Sequence, residues 1–204
     1  MNTENHSRTT TVALTGRVSA LALQAVITAN LGQDALRYQV GHDHFHYDNN
    51  TFAAGDAYIA AQRRAVLDAL AHQESLPAWQ ALGRLTHTAQ DFYAHSNYVD
   101  LWIELRPGTA PDQIDPLAAE LLMDSRLHSG RLYYPLEALS FVPALRPLVT
   151  PRLPRDSHAW MNKDYPGRPN FDFAFHAAVK RTILEFERIR QGLSVDALAV
   201  LVGR

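Results

Sequence analysis

The sequence predicts an all-α fold in a single domain, and three observations carry that expectation. Apolar residues recur at helical rather than alternating spacing along most of the 204 residues. Hydrophobic residues make up 47% of the chain and charged residues 20%, enough to bury a core. No Gly-rich phosphate loop follows a strand, so a nucleotide-binding fold has nothing to stand on. The expected architecture is a bundle of about five to seven helices with a His/Asp metal cleft. Residues 1–14 are expected to form a flexible N-terminal tail and residues 15–204 the helical domain.

The elements follow in order. From about Thr15 to Asn30, Val18, Leu21, Leu23, Ala25 and Val26 recur at helical spacing, and Asn30-Leu31-Gly32 supplies a stop. Gly41 to Asn50 is polar and asparagine-rich and reads as a loop. A second helix spans about Ala53 to His72. Pro77 suits the first turn of a third helix, which runs to about Ser96-Asn97. A shorter helix is expected over Asp115 to Leu127, after the Pro-rich loop Arg106 to Pro111. Leu132 to Pro154 is apolar but broken by prolines, so short helical turns packed on the core are expected there, or a membrane-touching lid. The last long helix runs from about Asn170 to Gln191.

Composition narrows the function. Nineteen basic residues against 21 acidic ones give a net charge of −2, which argues against gripping a nucleic-acid backbone. With no cysteine, disulfides, thiolate metal sites and a cysteine nucleophile are excluded. No apolar run reaches the roughly 18 to 20 residues that span a bilayer. The amino terminus does not have the pattern of a secretory signal. The expected location is the cytoplasm, with export by another route or peripheral membrane attachment as alternatives.

Ten histidines are the unusual count. His87, Asp91 and His95 sit at i, i+4 and i+8 of the third helix, each step advancing about 40° around the axis. Two imidazoles and a carboxylate thus form one stripe, a donor set that suits a zinc-like ion, although such a stripe can also simply face water. His44, His46 and Asp48 alternate along the 41–50 loop and converge if it is extended. His158 precedes an Asn162-Lys163-Asp164 turn. His176 lies on the semi-apolar side of the last helix, where a buried imidazole needs a partner. His6 and His72 read as surface residues.

The stretch Gly83-Arg84-Leu85-Thr86-His87-Thr88-Ala89-Gln90-Asp91-Phe92-Tyr93-Ala94-His95-Ser96-Asn97-Tyr98-Val99 resembles the HET-C family, as does the block His158 to Pro166. That family is distantly similar to the zinc-dependent phospholipases C and single-strand nucleases. The resemblance implies a metal cluster on His87, Asp91 and His95, a carboxylate from an earlier segment at Asp48, and a later helical ligand at His176. Lys180 stands where those relatives carry an acid four residues on, and Met1 where they carry a terminal Trp. One or two zinc ions are therefore expected rather than three.

The expected chemistry is phospholipase C-like phosphodiester hydrolysis. Its ligands are His46, Asp48, His87, Asp91, His95, His158 and His176, and Asp48 or Asp91 takes a proton from the attacking water. Asn162 and Lys163 are placed to orient a phosphate, or serve as turn residues. The expected partner is a phospholipid or membrane surface, with nucleic acid disfavoured. The alternatives are a non-catalytic, metal-stabilised protein of the toxin or self-recognition kind, binding a membrane or a partner, and a single-strand nuclease.

Overall fold

The computed structural model describes residues 1–38 and 41–204. Among these residues it is all-helical, with twelve α-helices rather than five to seven. The long ones are α1 (Thr3–Leu14), α2 (Ala20–Leu31), α4 (Phe52–Ala71), α5 (Ser75–His95) and α11 (Phe171–Arg190). Shorter helices are α3 (Asp43–His46), α6 (Tyr98–Leu105), α7 (Ala119–Leu122), α8 (Leu136–Ser140), α9 (Arg146–Val149), α10 (His158–Met161) and α12 (Val195–Val202).

Helix α5 is the axis of the molecule. It packs against α2, α4 and α11, and every residue from Leu85 to His95 is buried. Surrounded on all sides, its polar stripe faces protein instead of water. Gly83 sets the closest approach to α2: a Cβ there would run into the Val26 carbonyl and lie 2.7 Å from Ala29 Cβ.

The expected tail is in fact helix α1. The Asn2 side chain caps it by accepting from the Asn5 N–H at 3.0 Å. Its inner face, Asn5, His6, Thr9, Thr10, Ala13 and Leu14, is buried against α2 and α11. The expected 115–127 helix shrinks to α7, while α6 and α12 extend helical structure beyond the segments the apolar pattern marks.

The expected 41–50 loop is instead α3 followed by a 3-10 turn, Asp48–Asn50. Tyr47, Asn49 and Asn50 there have φ of 57°, 54° and 59°, the left-handed region that costs a non-glycine residue about 1 kcal/mol or more. Amide and hydroxyl contacts hold the turn. Asn50 Oδ1 accepts from Ser129 N at 2.7 Å, and Ser129 Oγ accepts from Asn50 N at 2.8 Å. Asn49 Oδ1 accepts from Leu132 N at 2.9 Å. The turn projects Asp48 inward.

Residues 132–154 form α8 and α9 over a small separate core of Val149, Leu153 and Ala159.

Candidate metal centre

The buried candidate ligands come from widely separated stretches of chain. Helix α5 supplies His87, Asp91 and His95, and the α3 region supplies His46 and Asp48. Helix α10 supplies His158, and α1 supplies His6. Strand-like contacts bring α10 in. Arg131 O accepts from His158 N at 2.9 Å, and Ala94 O accepts from Lys163 N at 2.8 Å. Gly130 lets this happen, because a Cβ there would lie 2.7 Å from His158 Cα.

The tightest group is a triangle. His46 Nδ1 lies 3.0 Å from Asp91 Oδ2, His87 Nε2 lies 3.1 Å from the same oxygen, and the two nitrogens are 3.1 Å apart. Asp34 Oδ1 stands 3.8 Å from His87 Nε2. A second group joins Asp48, His95 and His158. There His158 Nδ1 is 2.8 Å and His95 Nδ1 3.8 Å from Asp48 Oδ1. Asp91 faces both ways: its Oδ1 lies 3.1 Å from His6 Nε2 and 3.7 Å from His95 Nε2, and also accepts from the Met1 amino group. That amino group lies 3.2 Å from Asp164 Oδ1.

The charges of the cluster set one another. Burial disfavours the Asp91 charge, yet the Met1 amino group and the His95, His6 and His87 rings hold its carboxyl well below the usual range. Burial, with His6 alongside, pushes His87 down to about 4, so its ring is neutral at pH 7. Burial works against the charged form of His158 too, but Asp48 raises it to about 9. Burial opposes the Met1 ammonium, while Asp164, Asp91 and Asp34 raise it to about 11.

His6 belongs to the same buried cluster. Its Nδ1 hydrogen-bonds with Gln90 Oε1 at 2.7 Å, which leaves the buried Nε2 facing Asp91 Oδ1 at 3.1 Å. The ring also stacks on His87, centroids 4.2 Å apart. His6 thus joins Asp34 and His87 in a third ligand group. The sequence placed His6 on the surface, and it is fully buried.

Of the expected ligands, the structure brings together His46, Asp48, His87, Asp91, His95 and His158. His176 stands apart. It is half-buried on α11 with its ring edge against Phe175, and it belongs to none of the ligand groups among the described residues. Sequence reasoning missed His6, Asp34 and Asp164.

The expected phosphate-orienting residues have structural roles. Lys163 Nζ is buried, donates to Ser96 O at 2.9 Å and pairs with Asp100 at 3.1 Å. Asn162 Nδ2 donates to His158 O at 2.9 Å, closing α10. The expected cleft is not shown. One cavity of about 410 Å³ beside α12 and one of about 320 Å³ between α2 and α5 contain none of the ligands.

Fold and site together define a class: an all-helical protein with a buried, interlocked histidine–aspartate cluster at its centre. The chain belongs to the VWA7 N-terminal domain family, whose profile matches residues 5–113, more than half of its length. It is similar to von Willebrand factor A domain-containing protein 7 of Homo sapiens, at 40% identity over 81 residues. The Rattus norvegicus protein of the same name is 36% identical over 80 residues. Each alignment covers 39% of this chain and 9% of the relative, so the match spans under a tenth of those proteins. No solved structure matches.

These matches correct the family expectation. The 83–99 motif lies inside the VWA7 N-terminal domain match, and no HET-C or phospholipase C relationship is found. The phospholipase C-like function and the toxin or self-recognition role were inferred through HET-C and lose their basis with it. Much of the motif is scaffold. Gln90 Nε2 donates to Thr10 and Thr182, at 3.0 and 3.1 Å, Tyr93 Oη donates to Pro116 O at 2.6 Å, and Ser96 Oγ donates to Phe92 O at 2.5 Å.

Proposed function

We propose that this domain is a metal-binding module that takes up one or two divalent ions of the zinc class and is held together by them. The observation that carries the proposal is the triangle of His46 Nδ1, His87 Nε2 and Asp91 Oδ2, with edges of 3.0 to 3.1 Å. Zinc binds imidazole nitrogen at about 2.0–2.1 Å, so adjacent ligand atoms of a tetrahedral site lie about 3.3 Å apart. The three atoms already stand close to that spacing. Hydrogen bonding alone suits them less well, because two ring N–H groups directed at one carboxylate oxygen also face each other.

A second ion would sit among Asp48, His95 and His158, with His95 Nδ1 giving up the hydrogen bond that it donates to His46 O at 2.8 Å. The donor set of imidazole nitrogen and carboxylate oxygen suits zinc better than calcium or magnesium, which prefer oxygen throughout, and ion uptake would displace the proton that Asp48 holds on His158. Joining α3, α5 and α10, the ions would act as staples between segments that are distant in sequence. This role requires no open coordination position.

Elemental analysis of the untagged protein tests this. One or two zinc-class ions per chain are expected, with a higher melting temperature than after chelation. His87→Ala and Asp91→Asn should each lower metal content sharply while α-helical content stays near wild type. No ion bound after incubation with zinc, or unchanged metal content in both variants, would overturn the proposal.

A further inference from the structure

The cavity of about 320 Å³ between α2 and α5 takes its charge from arginines alone. Leu76, Gln80 and Arg84 reach it from α5, where steps of four residues keep them on one face of the helix. Arg37 and Tyr38 bound it from the 3-10 turn Leu36–Tyr38. Among the described residues no aspartate or glutamate lines it. Asp34, the acid nearest to Arg37 in sequence, stands toward the candidate metal centre, with Oδ1 3.8 Å from His87 Nε2. The cavity beside α12 differs, because Glu187 there holds Arg17 at 3.2 Å and Arg190 at 2.8 Å.

Both guanidiniums have donors to offer. Arg84 Nε donates to Gln62 Oε1 at 2.8 Å, which steadies the fork, and its terminal nitrogens make no hydrogen bond among the described residues. Arg37 is exposed, its guanidinium 4.7 Å from the centroid of the Tyr38 ring. Neither arginine forms an ion pair among the described residues. Gln80, exposed in the same lining, adds an amide. Like charges around one hollow repel each other, and an anion bound between them turns that repulsion into attraction.

We propose that this hollow binds a small phosphate monoester, its anionic head between Arg37 and Arg84 and its organic group against Leu76 and the Tyr38 ring. A phosphate ester carries about −1.5 to −2 charge at pH 7 and three strong acceptor oxygens. That matches two guanidinium forks and an amide better than a singly charged carboxylate does. Leu76, 52% exposed, supplies apolar surface for the organic group. The volume stands at the small end of the roughly 300–1,000 Å³ of ligand pockets, so the ester is a small molecule. The proposal does not depend on the metal centre, since none of the candidate ligands lines this cavity.

Isothermal titration calorimetry of the full chain with phenyl phosphate tests it, with benzoate as the singly charged comparison. Phenyl phosphate is expected to bind, and benzoate to bind about tenfold more weakly or worse. Arg37→Glu should lower the affinity for phenyl phosphate about tenfold or more, and Arg84→Gln about fivefold or more. Arg64→Glu, at an exposed position on α4 outside the cavity, should bind as wild type. Circular dichroism of each variant separates lost binding from lost fold, and Arg37, exposed on a turn, is the change that the fold tolerates best. Phosphate also binds metal ions, so wild-type affinity in both folded cavity variants would place the ligand at the metal centre and overturn the proposal. Lack of binding by phenyl phosphate, equal binding by benzoate, or an equal loss in Arg64→Glu would overturn it too.

Discussion

At the scale of single residues, Gln90 has the widest reach. Its amide accepts from His6 and Asn30 and donates to Thr10 and Thr182, so one side chain ties α5 to α1, α2 and α11. It also fixes the His6 tautomer, since the ring nitrogen bonded to Gln90 Oε1 must carry the proton. Gln90→Leu keeps the volume and strands several buried polar groups at once. A loss of about 2–4 kcal/mol in urea unfolding is expected, with metal affinity about 10- to 100-fold weaker. Unchanged affinity would show that His6 takes no part in the centre. The stripe of His87, Asp91 and His95 was legible from its spacing alone. His6 was not, because its helix buries polar side chains and hydrophobic periodicity cannot report that face. The readable signal was the Asn2 cap, which starts a helix and puts Asn5, His6, Thr9, Thr10, Ala13 and Leu14 on one side.

At the scale of elements, long helices with clear apolar spacing were read closely. Helices α4, α5 and α11 begin and end within about two residues of expectation, as terminal fraying allows. Helix α12 was missed despite a Ser194 cap and a Gly203 stop at φ 74°, because it is short. The turn at Tyr47 to Asn50 was read as loop because its left-handed residues are held by Ser129 and Leu132, some 80 positions away. Gly83 gives a prediction where two effects oppose each other. Ala is the better helix former by about 1 kcal/mol, but its Cβ would strike backbone in α2, which has no room to move aside. Gly83→Ala should therefore destabilise by about 1–3 kcal/mol in denaturant unfolding. A more stable variant would mean that α2 and α5 are less closely packed than described.

At the scale of the whole molecule, a second buried charge cluster links α4 and α11. Glu185 accepts from Arg63 at 2.5 Å, Arg181 at 2.9 Å and Arg188 at 2.8 Å, and its side chain is fully buried. Burial alone would raise its carboxyl, but Arg181 and Arg63 outweigh this and hold it below the usual range. A depressed folded-state value means that the stabilisation is present above the unfolded value of about 4.3 and is lost as pH falls through the folded one. Glu185→Gln should cost about 3 kcal/mol at pH 7, where it leaves Arg181 unpaired, and distinctly less near pH 3. Urea unfolding at the two pH values measures the difference, and an equal cost at both would remove the ion-pair explanation. All-α character was legible from the chain, whereas this network was not, since nothing local to Arg63 points to a residue 122 positions on.

The same remoteness governs how the centre is assembled. The Asp48–His158 contact closes 110 residues of chain, His6–Gln90 closes 84 and His46–Asp91 closes 45. Local helices form within microseconds, while contacts this distant must first overcome the entropy of closing long loops. Helices α2, α4 and α5, whose contacts are nearer in sequence, are thus expected to condense before α1, α10 and α11 swing in, since Asn30–Thr86 closes 56 residues and Gln90–Thr182 closes 92. On the proposed metal-binding reading, His87, Asp91 and His95 of α5 stand in water during that interval and would capture an ion early, guiding the late segments to their seats.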